Sequence, residues 1–155
     1  MKILDYLSAA EIDFDVRHHE ERFTAQEEAA AGHIPGHMFA KTVVVRAGDE
    51  HLLLVLPASH RVDLDRLRDA TGSRPEIVPE DEMAELFVDC DVGAEPPFGS
   101  HYGLRTIVDT HLSKQERIAV RACSHHEVVL LTYEDYARLE EPEAVSYTHL
   151  RAHET

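Results

Sequence analysis

One stretch constrains the fold more than any other: Phe39-Ala40-Lys41-Thr42-Val43-Val44-Val45-Arg46. β-branched residues fill it, and Gly48-Asp49 follows as a turn signal before the apolar run Leu52–Leu56, which Pro57 ends. The two runs read as a β-hairpin. Alternation puts Lys41, Val43 and Val45 on one face of the strand and Thr42, Val44 and Arg46 on the other. Lys41 therefore shares a face with two valines. Burying an ammonium without a partner is costly. Either the stem packs and the charge reaches solvent at the strand end, or the charge serves a site. The chain has only three lysines (Lys2, Lys41, Lys114) against twelve arginines, so the placement is not a matter of frequency.

The flanking sequence supplies partners for this hairpin. Ile3, Leu4, Leu7 and Ala10 fit a helical stripe over 2–10, and Ile12–His18 alternates enough for a first strand. Thr24-Ala25-Gln26-Glu27 is a capping box for a helix to about Ala31. Asp63 can cap a helix stopped by Thr71-Gly72. Pro75–Val78 is a short extended piece, and the acidic turn Glu80-Asp81-Glu82 starts another helix to about Leu86. Strands are expected at Arg105–Asp109, Arg117–Ala122 and Val128–Thr132, with a last helix at Tyr133–Leu139. Strands and helices mixed in this way, with short turns, imply an α+β domain with a mixed or largely antiparallel sheet.

The length of 155 residues fits one domain. A formal net charge of −15 argues against a broad polyanion-binding surface, though not against a nucleic acid that enters only by its tip. The two cysteines, Cys90 and Cys123, form no framework, so reduced thiols and a cytoplasmic setting are expected. No apolar run approaches a membrane span, and the acidic amphipathic start is neither a signal nor a transit peptide.

Most chemical motifs are missing. His18-His19, His33 and His37, and His125-His126 offer imidazoles, but no zinc spacing joins them, and Pro35-Gly36 breaks any helix that would align His33 with His37. There is no nucleophile elbow and no phosphate loop of the G-x-x-x-x-G-K type. The loop Asp91–Gly103, DVGAEPPFGSHYG, is more informative. Its glycines let backbone amides approach a ligand, and its two adjacent prolines stiffen it. Such a loop can hold a carbonyl oxygen or an oxyanion, or it can simply be a tight turn.

Together, TAQEEAAA-x-HIPG-x-x-x-AKTVVV, then VGAEPPFG before a strand, then A-x-x-H-H-E at Ala122–Glu127 resemble the YbaK/EbsC family. These are freestanding relatives of the editing domain of prolyl-tRNA synthetases. The resemblance spans residues 1–141. It implies a mixed, curved sheet flanked by helices, and hydrolysis of a small wrong amino acid, such as alanine or cysteine, from proline tRNA. It implies the tRNA acceptor end as substrate, a synthetase as a partner, and neither metal nor cofactor.

Residue by residue, Lys41 matches the family's functional lysine, and Gly93 and Pro97 match the ends of its G-x-x-x-P loop. His125 stands where alanine-removing members carry a histidine. Thr42 and Ser100 stand where many relatives have asparagine, which bears on the substrate. In this reading Lys41 holds a terminal phosphate or the ester's polar atoms. The backbone of Gly93–Gly99, including Phe98, polarises the carbonyl, and His125 orients water or ribose hydroxyls. Val43 and Val45 wall a small pocket that selects by size. A non-catalytic binding module and a histidine-based metallohydrolase are the competing readings.

The end, 145–155 (VSYTHLRAHET), continues no pattern. It resembles a translated sequencing-library adapter joined to an open reading frame, and is expected to stand apart from the fold.

Overall fold

The computed structural model describes residues 3–18 and 34–150. The capping-box helix at 24–31, His19, His33 and residues 151–155 lie outside them. α1 (Ile3–Ala9) and β1 (Asp15–His18) are followed by the hairpin β2 (Ala40–Ala47) and β3 (Glu50–Pro57). β4 (His60–Val62), α2 (Leu64–Thr71), β5 (Glu76–Ile77) and α3 (Glu80–Leu86) come next. The long loop then ends in a 3-10 turn at Gly99–Tyr102 and leads to β6 (Arg105–Asp109) and α4 (Thr110–Ser113). β7 (Arg117–Arg121), β8 (Glu127–Thr132), α5 (Tyr133–Glu140), β9 (Glu143–Val145) and β10 (Thr148–Leu150) complete the chain.

A five-stranded sheet runs β5-β2-β3-β6-β9. Its β5, β2 and β3 are antiparallel, while β3–β6 and β6–β9 are parallel. A three-stranded antiparallel sheet runs β1-β8-β7. The two sheets meet at a parallel bridge, Phe39 to Ala119, where the Ala119 amide donates to Met38 O at 3.0 Å. The α+β class and mixed, largely antiparallel pairing expected from sequence are what the structure contains.

Local chemistry explains the boundaries. Asp63 caps α2 by accepting from the Asp65 and Arg66 amides, and Gly72 ends the helix at φ 86°. The β2–β3 turn needs Gly48 at φ 64°. Thr132 caps α5 by accepting from the Asp135 amide.

The inner face of β2 (Ala40, Val44) packs with Leu53, Val55, Phe98, Val108, Ile118 and Val120 in the core between the sheets. The outer face packs elsewhere: Val45, with Val43 against it, joins Leu52, Leu54, Leu56, Leu67, Ile107 and Tyr147. Val45 is fully buried and so a core residue, while Val43 is half-buried against the same cluster.

Two further expectations are corrected. Residues 145–150 do not stand apart. Val145 pairs with Asp109, Thr148–Leu150 pairs with β4, and Tyr147 is buried with its phenol 2.9 Å from Val55 O and 2.8 Å from Ile107 O. An aromatic ring with an apolar body and a satisfied hydroxyl is a strong anchor, whatever its sequence context. Nor are the cysteines free thiols: Cys90 and Cys123 are joined as a disulfide. The fold brings the loop after α3 against the β7–β8 turn, a juxtaposition that a spacing of 33 residues does not announce.

Candidate functional site

The site is built where the first residues of β2 meet two connections, the loop after α3 and the β7–β8 turn. Thr42 Oγ1 donates to Glu95 O at 3.3 Å, so the inner face of β2 touches the loop directly. His125 is only 3% exposed, and its Nε2 lies 2.6 Å from Val92 O. A carbonyl can only accept, so Nε2 carries the proton. Two backbone bonds run beside it: the Asp91 amide to Cys123 O and the Cys123 amide to Ala94 O, both 2.9 Å. Cys123 sits at φ 71° to make them, and the disulfide closes the same seam. The loop is thus cinched to the turn that carries His125.

Inside the loop, Glu95 folds back. Its Oε2 accepts from the Gly93 amide at 2.7 Å, with Gly93 at φ 86°. Glu95 is 5% exposed, and burial holds its carboxyl above the usual range. The Gly93 amide, Arg121 and His125 pull in the opposite direction. Arg121 is itself buried, with its guanidinium 5.9 Å from the Phe39 ring centroid.

Tyr102 closes the far side, its hydroxyl 3.3 Å from both sulfurs. Burial first, then the hydrogen bond that the phenol donates to Asp89, holds that phenol well above its usual range. A cavity of about 320 Å³ lies beneath this seam, lined in part by Asp89, Cys123, Ser124 and Glu127.

Lys41 lies on the other face of β2, half-buried, and its Nζ donates to His60 O at 3.4 Å. Around His60 stand Ser59 (Oγ to Nδ1, 3.0 Å) and His111, whose ring centroid lies 4.6 Å away with the planes tilted by 36° and whose Nδ1 reaches Asp109 Oδ2 at 2.9 Å. Burial, then His111, pushes the His60 pKa down.

The structure therefore brings Thr42, Gly93 and His125 together and sets Lys41 at the strand's opposite face. The rest of the loop is engaged in packing. Tyr136 donates to Pro97 O at 2.7 Å, and Phe98 is in the core edge-on to Tyr136. A Cβ on Gly99 would meet Thr106 Oγ1 and Leu104 O within 3.0 Å, so only glycine fits. The Ser100 amide and hydroxyl donate to Glu140 at 3.0 and 2.7 Å.

Of the Gly93–Gly99 amides assigned from sequence to a substrate carbonyl, Gly93 donates to Glu95 and Ala94 to Asp91 O, while Pro96 and Pro97 have none. Sequence reasoning missed Glu95 and Arg121. The usable signals were an acid set just before two prolines, and an arginine closing the apolar strand Ile118–Val120.

Fold and site together define an α+β domain of a five-stranded, a three-stranded and a two-stranded sheet, in which the loop after α3 is tied to a histidine-bearing turn beside a lysine-bearing strand. Solved structures share that fold. Protein APE2540 superposes with a TM-score of 0.87 at 15% identity, covering 96% of this chain and 100% of that one. A crystal structure described as a trans-editing enzyme for prolyl tRNA synthetase superposes at 0.79 and 17% identity, covering 94% and 92%. The profile of the aminoacyl-tRNA editing domain matches residues 19–139, and this chain belongs to that family. Over 101 residues it is 33% identical to the multifunctional Ser/Thr-tRNA deacylase ProXp-y of Escherichia coli (strain K12). The match takes in 64% of this chain and 60% of that relative's length. No helix among the described residues is long and apolar enough to cross a membrane.

Proposed function

We propose that this chain hydrolyses the ester of a small, wrongly attached amino acid on tRNA, acting in trans to a synthetase in the cytoplasm. The observation that carries this is the convergence of Thr42 and His125 on one Gly93-led loop, in a chain of the editing family. A tRNA ester is already activated, so the chemistry needs a placed water and a stabilised oxyanion more than a strong nucleophile. His125, anchored by Nε2 to Val92 O, is the group we assign to orient the attacking water or a ribose hydroxyl. The Gly93 amide is held by Glu95, so Lys41 is the group we assign to developing negative charge or to the terminal phosphate.

Two substrate classes compete. Alanine or cysteine on proline tRNA follows from the motif resemblance. Serine or threonine follows from the relative's activity. The net charge of −15 favours entry of the acceptor end alone. Single-turnover deacylation of alanyl-, cysteinyl-, seryl-, threonyl- and prolyl-tRNA tests the proposal. Release of one or more small amino acids, with cognate prolyl-tRNA spared, is expected. No release from any of them would leave a binding module.

A further inference from the structure

Glu95 is the least explained charge near the site. It lies in the stiffest part of the loop, immediately before Pro96 and Pro97, and is 5% exposed. Its backbone and side chain do different jobs. The carbonyl takes the Thr42 hydroxyl, and Oε2 takes the Gly93 amide. The charged groups that act on it come from β7 (Arg121) and the β7–β8 turn (His125), while Tyr102 of the 3-10 turn feels its charge in return. A buried carboxylate so placed does more than fill space. It lies within electrostatic reach of the buried Arg121 guanidinium, and its Oε2 holds the amide of Gly93, next to the Val92 carbonyl that His125 grips.

Resting on the deacylase reading, we propose that Glu95 is a positioning residue for that reaction, its negative charge holding the Gly93 loop, Arg121 and His125 in the register the substrate meets. Shape alone would not require the charge, because glutamine can accept the same amide bond from Gly93. The charge matters if the carboxylate must oppose Arg121 and orient His125. Displacing such a group by a fraction of its proper position costs about 10- to 100-fold in rate.

The pH dependence separates the two cases. Burial raises the Glu95 carboxyl above its unfolded value. Its contribution to stability is therefore fully present below the unfolded pKa and is lost as pH rises through the folded one. A merely structural Glu95 would leave activity tracking the folded fraction, with no penalty at its titration. A positioning Glu95 makes activity fall as pH drops through the raised value, while its own stability term moves the other way.

The experiment is single-turnover deacylation of the best small aminoacyl-tRNA from pH 5 to 8.5. It uses wild type, Glu95→Gln and Glu95→Asp, with a thermal melt at each pH. Expected are a rate for Glu95→Gln about 10- to 100-fold below wild type at pH 7.5, loss of the wild-type acid limb, partial rescue by Glu95→Asp, and a melt at least as high as wild type. A Glu95→Gln rate within about twofold of wild type, with the acid limb intact, would overturn the inference and leave the deacylase reading standing. A wild type that releases no amino acid would remove that reading and the inference with it.

Discussion

Lys41 and Thr42 are neighbours in sequence and opposites in space, and the two faces of β2 they mark are built differently. On the inner face, Thr42 is short, its hydroxyl is committed to Glu95 O, and everything beyond it is loop backbone held by the β7–β8 turn. On the outer face, Lys41 is long and half-buried, and its 3.4 Å contact to His60 O is slack. Thr42 is bonded to the loop, while the Lys41 ammonium is directed to the backbone at the start of β4. Adjacent strand residues reach one substrate only if one of them bends round the strand end, and a four-carbon stem can do that where a threonine cannot.

This contrast can be broken from either side. The largest effect is expected on the outer face, from Tyr147→Ala. Removing a fully buried ring should cost about 3–5 kcal/mol, read by denaturant melts. A change below about 0.5 kcal/mol would show that residues 145–150 do not pack as described.

Lys41→Met comes next. It keeps the apolar stem and removes the charge, so single-turnover rates should fall about 10²–10³-fold while the melt stays level or rises. Full activity would return Lys41 to snorkelling. On the inner side, His125→Ala should slow the reaction about 10- to 100-fold, the low end for a water-positioning group. It should also lower stability by about 1–3 kcal/mol, since Val92 O loses its donor. An unchanged rate with lowered stability would make His125 a loop brace only. The smallest effect belongs to Thr42→Val, at about 1 kcal/mol of stability and a few-fold in rate. A large change in amino-acid preference would instead place the Thr42 hydroxyl against substrate.

Much of this was legible because it is local. Asp63 as a cap, Gly72 as a stop, Gly48 in the hairpin turn and the facing of Val43 and Val45 all follow from rules acting over a few residues. What escaped is what depends on partners far along the chain. β4 is three residues long and is ordered by β10, and the 3-10 turn at Gly99–Tyr102 closes on Leu104. Several amides of the loop motif have internal partners, Gly93 with Glu95 and Ala94 with Asp91 O. Nothing local says that Glu95 turns inward to take the Gly93 amide, because the reason is a guanidinium and an imidazole delivered by β7 and the turn after it. The cysteines were misread for the same reason.

The pairing of β1 with β8 has a consequence in time. Asp15 lies opposite Leu130, and the Arg117–Asp15 ion pair at 3.2 Å joins residues 102 apart. A chain emerging from a ribosome at roughly 5–20 residues per second therefore carries β1 for several seconds or more before its partner exists. Through that interval an apolar-alternating segment with an open edge is available to other chains. Closing so long a loop also makes this sheet a late and slow step, since distant pairings are rewarded only after their chain entropy is spent. The β7–β8 hairpin that carries His125 closes locally, but it gains its third strand only through this distant pairing.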